Sequence, residues 1–173
     1  MDFAGKKIAA LVITDDMDLR MSAEEALVRE ITARGPQGVA AYRTIPREES
    51  ADAEKAKGWF ERTGVAGVVA LRIVGQDQRT VYSSAIWSGV SYNSLYNYYG
   101  YGWATVTPIG KGRTQRTFAV ETLLFRVSDA KLLWAGVSQT TDPKSVGAFM
   151  KQLAGDVVIQ LEKDGLRVNP ARR

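Results

Sequence analysis

The chain of 173 residues contains no cysteine and no histidine. The first absence excludes disulfides, thiolate metal sites and cysteine nucleophiles. The second excludes the Ser-His-Asp triad, HExxH metal sites and the side chain that most often acts as a general base near neutral pH. No window reaches the roughly 18 consecutive apolar residues that a membrane helix requires. The apolar run 8–13 is too short for the hydrophobic region of a signal peptide. Neither sign of charge dominates: 23 Lys and Arg against 19 Asp and Glu leave a net charge of +4. The bases are spread out, with small groups at Lys111, Arg113 and Arg116 and at Arg167, Arg172 and Arg173. Binding to a phosphate backbone draws on roughly six to ten clustered contacts. No nucleic acid is therefore expected as a partner, and a weak nucleic-acid binder stands only as an alternative.

What is present has ordinary globular composition, 45% hydrophobic and 24% charged. The length suits a single domain over 1–173, with a folded core at 6–166 and a loose tail at 167–173. Residues 7–14 (KIAALVIT) read as a strand buried on both faces. Ser22 and Glu25 have the spacing of a capping box, and Ala23, Ala26, Leu27 and Ile31 make a helical stripe that Gly35-Pro36 stops. A short strand is expected at 39–45. A helix follows from Ser50 through Ala53, Ala56, Trp59 and Phe60 to Gly64, then a third strand at 67–74. Further on, 116–127 alternates strongly, 128–131 reads as a turn, and 132–139 returns as a strand, which makes an antiparallel hairpin. Asp142-Pro143 has the form of a helix start. The last helix carries Val146, Phe149, Met150, Leu153, Val157 and Leu161 on one stripe, and ends at Gly165. Gly147 and Gly155 inside it predict close packing on the sheet. The fold class is therefore α/β with a mixed sheet: β-α-β-α-β, an insertion, an antiparallel hairpin and a C-terminal helix, in strand order 2-1-3-4-5.

The insertion, 80–112, departs from these rules. No charged residue occurs from 80 to 110, and 87–103 (WSGVSYNSLYNYYGYGW) holds two tryptophans and five of the seven tyrosines. Tyr and Trp offer large amphipathic area at low rotamer cost. Trp87, Tyr92, Tyr96, Tyr98, Tyr99, Tyr101 and Trp103 are thus candidate partner-binding residues. The same segment could instead fold back on its own sheet, form a Gly/Tyr loop, or stack on a glycan.

Asp15, Asp16 and Asp18 follow the first strand, where ligands gather in open α/β sheets. They read either as turn acids and a helix cap, or as the centre of a carboxylate-dependent hydrolase or metal-binding enzyme that would also use Glu121. Glu121 shares strand parity with Leu123 and Phe125, and Arg72 shares it with Ala70. If the two strands are neighbours, Arg72 and Glu121 form a buried structural ion pair. Gly110-Lys111-Gly112 lacks the spacing of a Walker motif, and Gly100-Tyr-Gly102 lacks the third glycine of a dinucleotide fingerprint.

In their order, 7–13, Arg20 to Leu27 (RMSAEEAL), 64–69 (GVAGVV), the Tyr/Gly/Trp-rich insertion, 120–125 (VETLLF) and 131–136 (KLLWAG) resemble a group of uncharacterised bacterial envelope lipoproteins. More distantly, the layout is similar to the TolB N-terminal domain and to lipoproteins of curli secretion and penicillin-binding-protein activation. The likeness covers about residues 6 to 165; the order of the motifs carries most of it, and Leu132-Leu-Trp134-Ala-Gly136 after a turn is its most telling piece. It implies a non-catalytic periplasmic domain, tethered to the outer membrane by a lipidated cysteine that would lie ahead of Met1. Such a domain acts as an assembly or accessory protein. It would bind an envelope partner or another copy of itself through the aromatic segment, with no cofactor and no metal.

Overall fold

A computed structural model describes residues 2–76, 87, 89–106, 117–141, 146–163 and 165. Strand β1 (Lys7–Ile13) is buried at every position but the first. It runs between two parallel neighbours, β2 (Gln37–Ala40) and β3 (Gly67–Gln76). On the far side of β3 the direction reverses: β4 (Thr117–Arg126) is antiparallel to β3, and β5 (Leu132–Thr141) is antiparallel to β4. The order β2-β1-β3-β4-β5 is the one the sequence predicts.

The helices are α1 (Met17–Ala33), a short α2 (Ala41–Thr44), α3 (Ala53–Thr63), α4 (Leu95–Ala104) and α5 (Val146–Lys163). The crossover from β1 to β2 and the one from β2 to β3 run in opposite directions across the sheet. Right-handed connection therefore puts α1 and α3 on opposite faces. On one face, Ala23, Leu27 and Ile31 of α1 and Met150, Leu153, Val157 and Leu161 of α5 pack on Ile8, Ala10, Val12, Val69, Leu71 and Leu124. On the other, Ala56 and Phe60 of α3 and Leu95, Tyr98 and Tyr99 of α4 pack on Ala9, Leu11, Ile13, Val68, Ala70 and Leu123. Burial of each large apolar side chain stabilises by roughly 1.5–3 kcal/mol. Among the described residues, no helix is long and apolar enough to cross a membrane.

Several local expectations shift. Helix α1 starts at Met17, because the Asp16 carboxylate accepts the Leu19 N–H at 3.0 Å; Ser22 therefore lies inside the helix and caps nothing. Of the three acids after β1, Asp16 is the cap. Helix α3 is capped by Asp52, which accepts the N–H groups of Glu54 and Lys55, and not by Ser50; Gly64, at φ 67°, ends it. The strand expected at 39–45 stops at Ala40 and turns into α2, where the Glu24 carboxylate receives the Tyr42 N–H at 2.6 Å. Among the described residues, close packing does not explain Gly155, since a Cβ there would meet only Arg34 Nη2, at 3.7 Å. The helix start at Asp142-Pro143, the Gly110–Gly112 loop, Lys111, Arg113, Arg116, most of 80–112 outside α4 and its approach, and the tail 167–173 lie outside the described residues.

One glycine does set a packing distance. A Cβ at Gly38 would stand 2.7 Å from the Val28 carbonyl oxygen and 3.0 Å from Val28 Cα, so β2 and the backbone of α1 are in direct contact. Gly100 of α4, by contrast, faces open space. Gly38→Ala should therefore destabilise by about 2 kcal/mol, because backbone cannot yield cheaply. Gly100→Ala should stabilise by about 0.5–1 kcal/mol through helix propensity. Urea unfolding of the two variants, with loss at one and gain at the other, checks this.

Candidate functional site

The aromatic segment supplies a helix. Ser94 caps it by accepting the Asn97 N–H at 3.2 Å, and the Leu95 N–H donates to the Ala130 carbonyl in the β4–β5 turn at 2.8 Å. Leu95, Tyr98, Tyr99 and Gly102 are buried, the i, i+3, i+4, i+7 stripe of one helical face. Gly102 lets that face sit low over the sheet: a Cβ there would approach Ile13 Cδ1 to 2.6 Å and Arg72 Cδ to 3.5 Å. Helix α4 thus lies on the α3 face of the sheet, from the β4–β5 turn at Leu95 to the C-terminal end of β1 at Gly102.

Beneath it is a closed polar network. Arg72 and Glu121 are register partners across β3 and β4, and both are buried. Glu121 Oε1 accepts from Arg72 Nη2 at 3.2 Å, from Arg72 Nε at 3.3 Å and from the Tyr98 hydroxyl at 3.0 Å. Its Oε2 accepts from the Tyr92 hydroxyl at 2.9 Å. Arg72 Nη1 donates to Thr105 Oγ1 at 2.9 Å, and the guanidinium stacks 4.8 Å from the centre of the Tyr101 ring. A charged pair shut away from water persists only when its remaining hydrogen-bonding positions are filled, and here tyrosines fill them.

A second buried pair closes the neighbouring end of β1. Arg20 and Glu24 are bonded at 3.0 Å within α1. Beyond Ala10, β1 has no partner on the β2 side, and Glu24 Oε1 takes up the Val12 N–H at 3.0 Å. Burial raises the Glu24 carboxyl above its usual value, against the opposing pull of Arg20 and of the Val12 and Tyr42 amides. Arg20 reaches across to α4, 5.4 Å from the Trp103 ring, and its Nη2 is buried without a hydrogen-bond partner.

The seven aromatic candidates divide accordingly. Tyr92, Tyr98 and Tyr99 are inside the chain's own core, 5%, 0% and 0% exposed, so a contact surface cannot include them in this conformation. The physical reason is helix α4 itself: its stripe needed apolar bulk, and the phenols found internal acceptors. The Tyr99 hydroxyl donates to the Ser50 carbonyl. Trp87, Tyr96, Tyr101 and Trp103 are half-buried at the outer side. Beside them stands Val90, 77% exposed, which sequence reasoning missed; an isolated valine in a Gly/Ser stretch gives no periodic signal.

The geometry gives the hydrolase alternative little to work with. A carboxylate that activates water must meet water, yet Glu121 is fully buried and both its oxygens are engaged. Asp16 is occupied as a cap. Among the described residues, no group of three or more acidic side chains is placed to hold a metal ion.

No family model matches the chain, and no curated protein matches it. Solved structures do. A PelC dodecamer from Paraburkholderia phytofirmans is 16% identical with a TM-score of 0.51, over 91% of this chain and 88% of that chain. Lipoprotein GNA1162 from Neisseria meningitidis is 13% identical at TM-score 0.46, covering 91% of this chain and 96% of that one. A minor lipoprotein from Acinetobacter baumannii is 11% identical at TM-score 0.36, covering 93% and 95%. Bacterial lipoproteins are thus among the solved neighbours, and at these identities the likeness is one of fold.

Arg72→Leu should cost about 3–5 kcal/mol, because it strands the Glu121 charge. The double replacement of Arg72 and Glu121 by leucine should cost clearly less than the two single losses together. A double-mutant cycle by denaturant unfolding reads the difference.

The phenols give a pH test. Burial, then the Glu121 carboxylate, pushes Tyr92 and Tyr98 well above 10. Burial carries Tyr99 up to about 12, despite the lowering effect of Arg20. Folded values above the unfolded one mean stability that is intact below pH 10 and lost as pH rises through the folded values. Absorbance titration of the native protein should show these three phenols absent from the step near pH 10 and ionising only at about 12 and beyond, together with unfolding. Three normal phenols there would contradict the network.

Proposed function

We propose that this chain is a non-catalytic domain of a bacterial envelope lipoprotein, held in the periplasm at the outer membrane. It acts as an accessory that binds another envelope protein. One observation supports the reading: on a segment free of charge Val90 is 77% exposed, and Trp87, Tyr96, Tyr101 and Trp103 are each only half-buried, above a closed polar network. Rings already fixed by Arg72 under Tyr101, Arg20 beside Trp103 and Lys57 at Tyr96 give up little rotamer freedom on binding. Amphipathic side chains of this kind are enriched at interfaces, where the apolar body is buried and the polar tip is satisfied. The solved PelC structure with a similar fold is a dodecamer, which favours self-association as a second reading.

Two measurements test the proposal. The protein made in its own host should be lipid-modified and should fractionate with membranes. A photo-crosslinking residue in place of Tyr96 should then give one discrete adduct there. Serine at both Val90 and Trp103 should reduce that adduct at least about tenfold, a loss of ~1.4 kcal/mol in binding. An unmodified, soluble product without an adduct would overturn the reading.

A further inference from the structure

The two ends of the sheet are treated very differently. At one end, β2 offers four residues and turns at once into α2. At the other, β5 offers ten, LLWAGVSQTT, and among the described residues it pairs only with β4. Proteins normally blunt an open strand edge by keeping it short or by placing lysine, proline or a bulge on it. Strand β5 has no charge and no proline, and its one irregularity in pairing lies at Leu124/Phe125, near its start. Residues 132–138 are all half-buried and Gln139 is exposed, whereas β1 is buried from Ile8 onward. Among the described residues, then, the outward N–H and C=O groups of β5 have no ladder and its side chains have no neighbouring strand on that side.

We infer that a second copy of this chain completes the sheet, its own β5 adding antiparallel to this edge about a two-fold axis, so that one sheet runs through both copies. Three observations select this occupant. An antiparallel strand is self-complementary under a two-fold, so the same ten residues supply both halves of the contact. The head-to-tail alternative, β5 against β2, would match ten residues to four and leave most of the edge open. The edge is also neutral in a chain of net charge +4, so two copies meet there without like charges opposed. A Cβ at Gly136 would lie 2.4 Å from the Trp134 ring, so the indole lies over Gly136 along its own strand. This contact uses none of the α4 residues and does not depend on the reading proposed for them.

The test uses the full chain at tens of micromolar in sedimentation equilibrium, where the expected species is a dimer. Gln139→Lys, at a position exposed in the single chain, should weaken dimerisation at least about tenfold with the thermal midpoint of the dilute monomer unchanged, since it puts a charge on the neutral edge of each copy. Val137→Lys should do the same; should that variant fail to fold, Gln139→Lys stands alone. Residues 1–173 contain no cysteine, so single cysteines placed at 135, 137, 138 and 139 of this stretch can be oxidised without background. Disulfide yield should peak at the position nearest the axis and fall off along the strand. A monomeric wild type overturns the inference and leaves the α4 surface standing. A dimer indifferent to Gln139→Lys, with a flat cysteine scan, overturns it as well.

Discussion

The bond between Arg72 and Glu121 sits where the sheet changes from parallel to antiparallel, and the upper half of the molecule is organised around it. Once β3 and β4 pair in register, an arginine and a glutamate oppose each other on an apolar face. Neither can be left there bare, because desolvating two charges costs several kcal/mol each unless every lone pair and proton is met. Helix α4 and the turn before it meet them with Tyr98, Tyr92, Tyr101 and Thr105. The aromatic insertion is therefore a lid over a buried charge before it is anything else, and its outward rings are the remainder once that need is met.

That division separates what this chain presents to solvent from what it keeps. Among the described residues, the two buried carboxylates, Glu24 and Glu121, are consumed by arginines, tyrosines and orphan amides. Its strand-end acid Asp16 is consumed by a helix start. The groups that elsewhere do chemistry at the carboxyl ends of parallel strands here hold the ends shut. Of the three acids after β1, Asp15 and Asp18 stay exposed.

The parts of the fold legible in the sequence were those written in local pattern. The unbroken apolar run of β1, the alternation of β4 and the turn before β5 each follow from periodicity. Parity alone placed Arg72 and Glu121 on one face. What was not legible depended on partners far along the chain. Strand β2 gives way to α2 because Glu24, 18 residues earlier, supplies the acceptor for the Tyr42 N–H. Helix α4 was hidden because Gly100 and Gly102 look like breakers. Its signal was present all the same in the spacing of Leu95, Tyr98, Tyr99 and Gly102, and only the close approach to Ile13 explains the last of these.

The separation of bonded residues also orders the assembly of the molecule. Glu24 reaches Val12 and Tyr42 across 12 and 18 residues, so β1, α1 and α2 can find one another through short loops. Arg72 must find Glu121 across 49 residues, and the tyrosines that complete the pair have no role until it does. Contacts with long loops are paid for in entropy before they return anything, which makes them late. By loop length alone, the rings of the charge-free segment are therefore the last to gain a place to pack, since the pair they complete exists only once β3 and β4 have met.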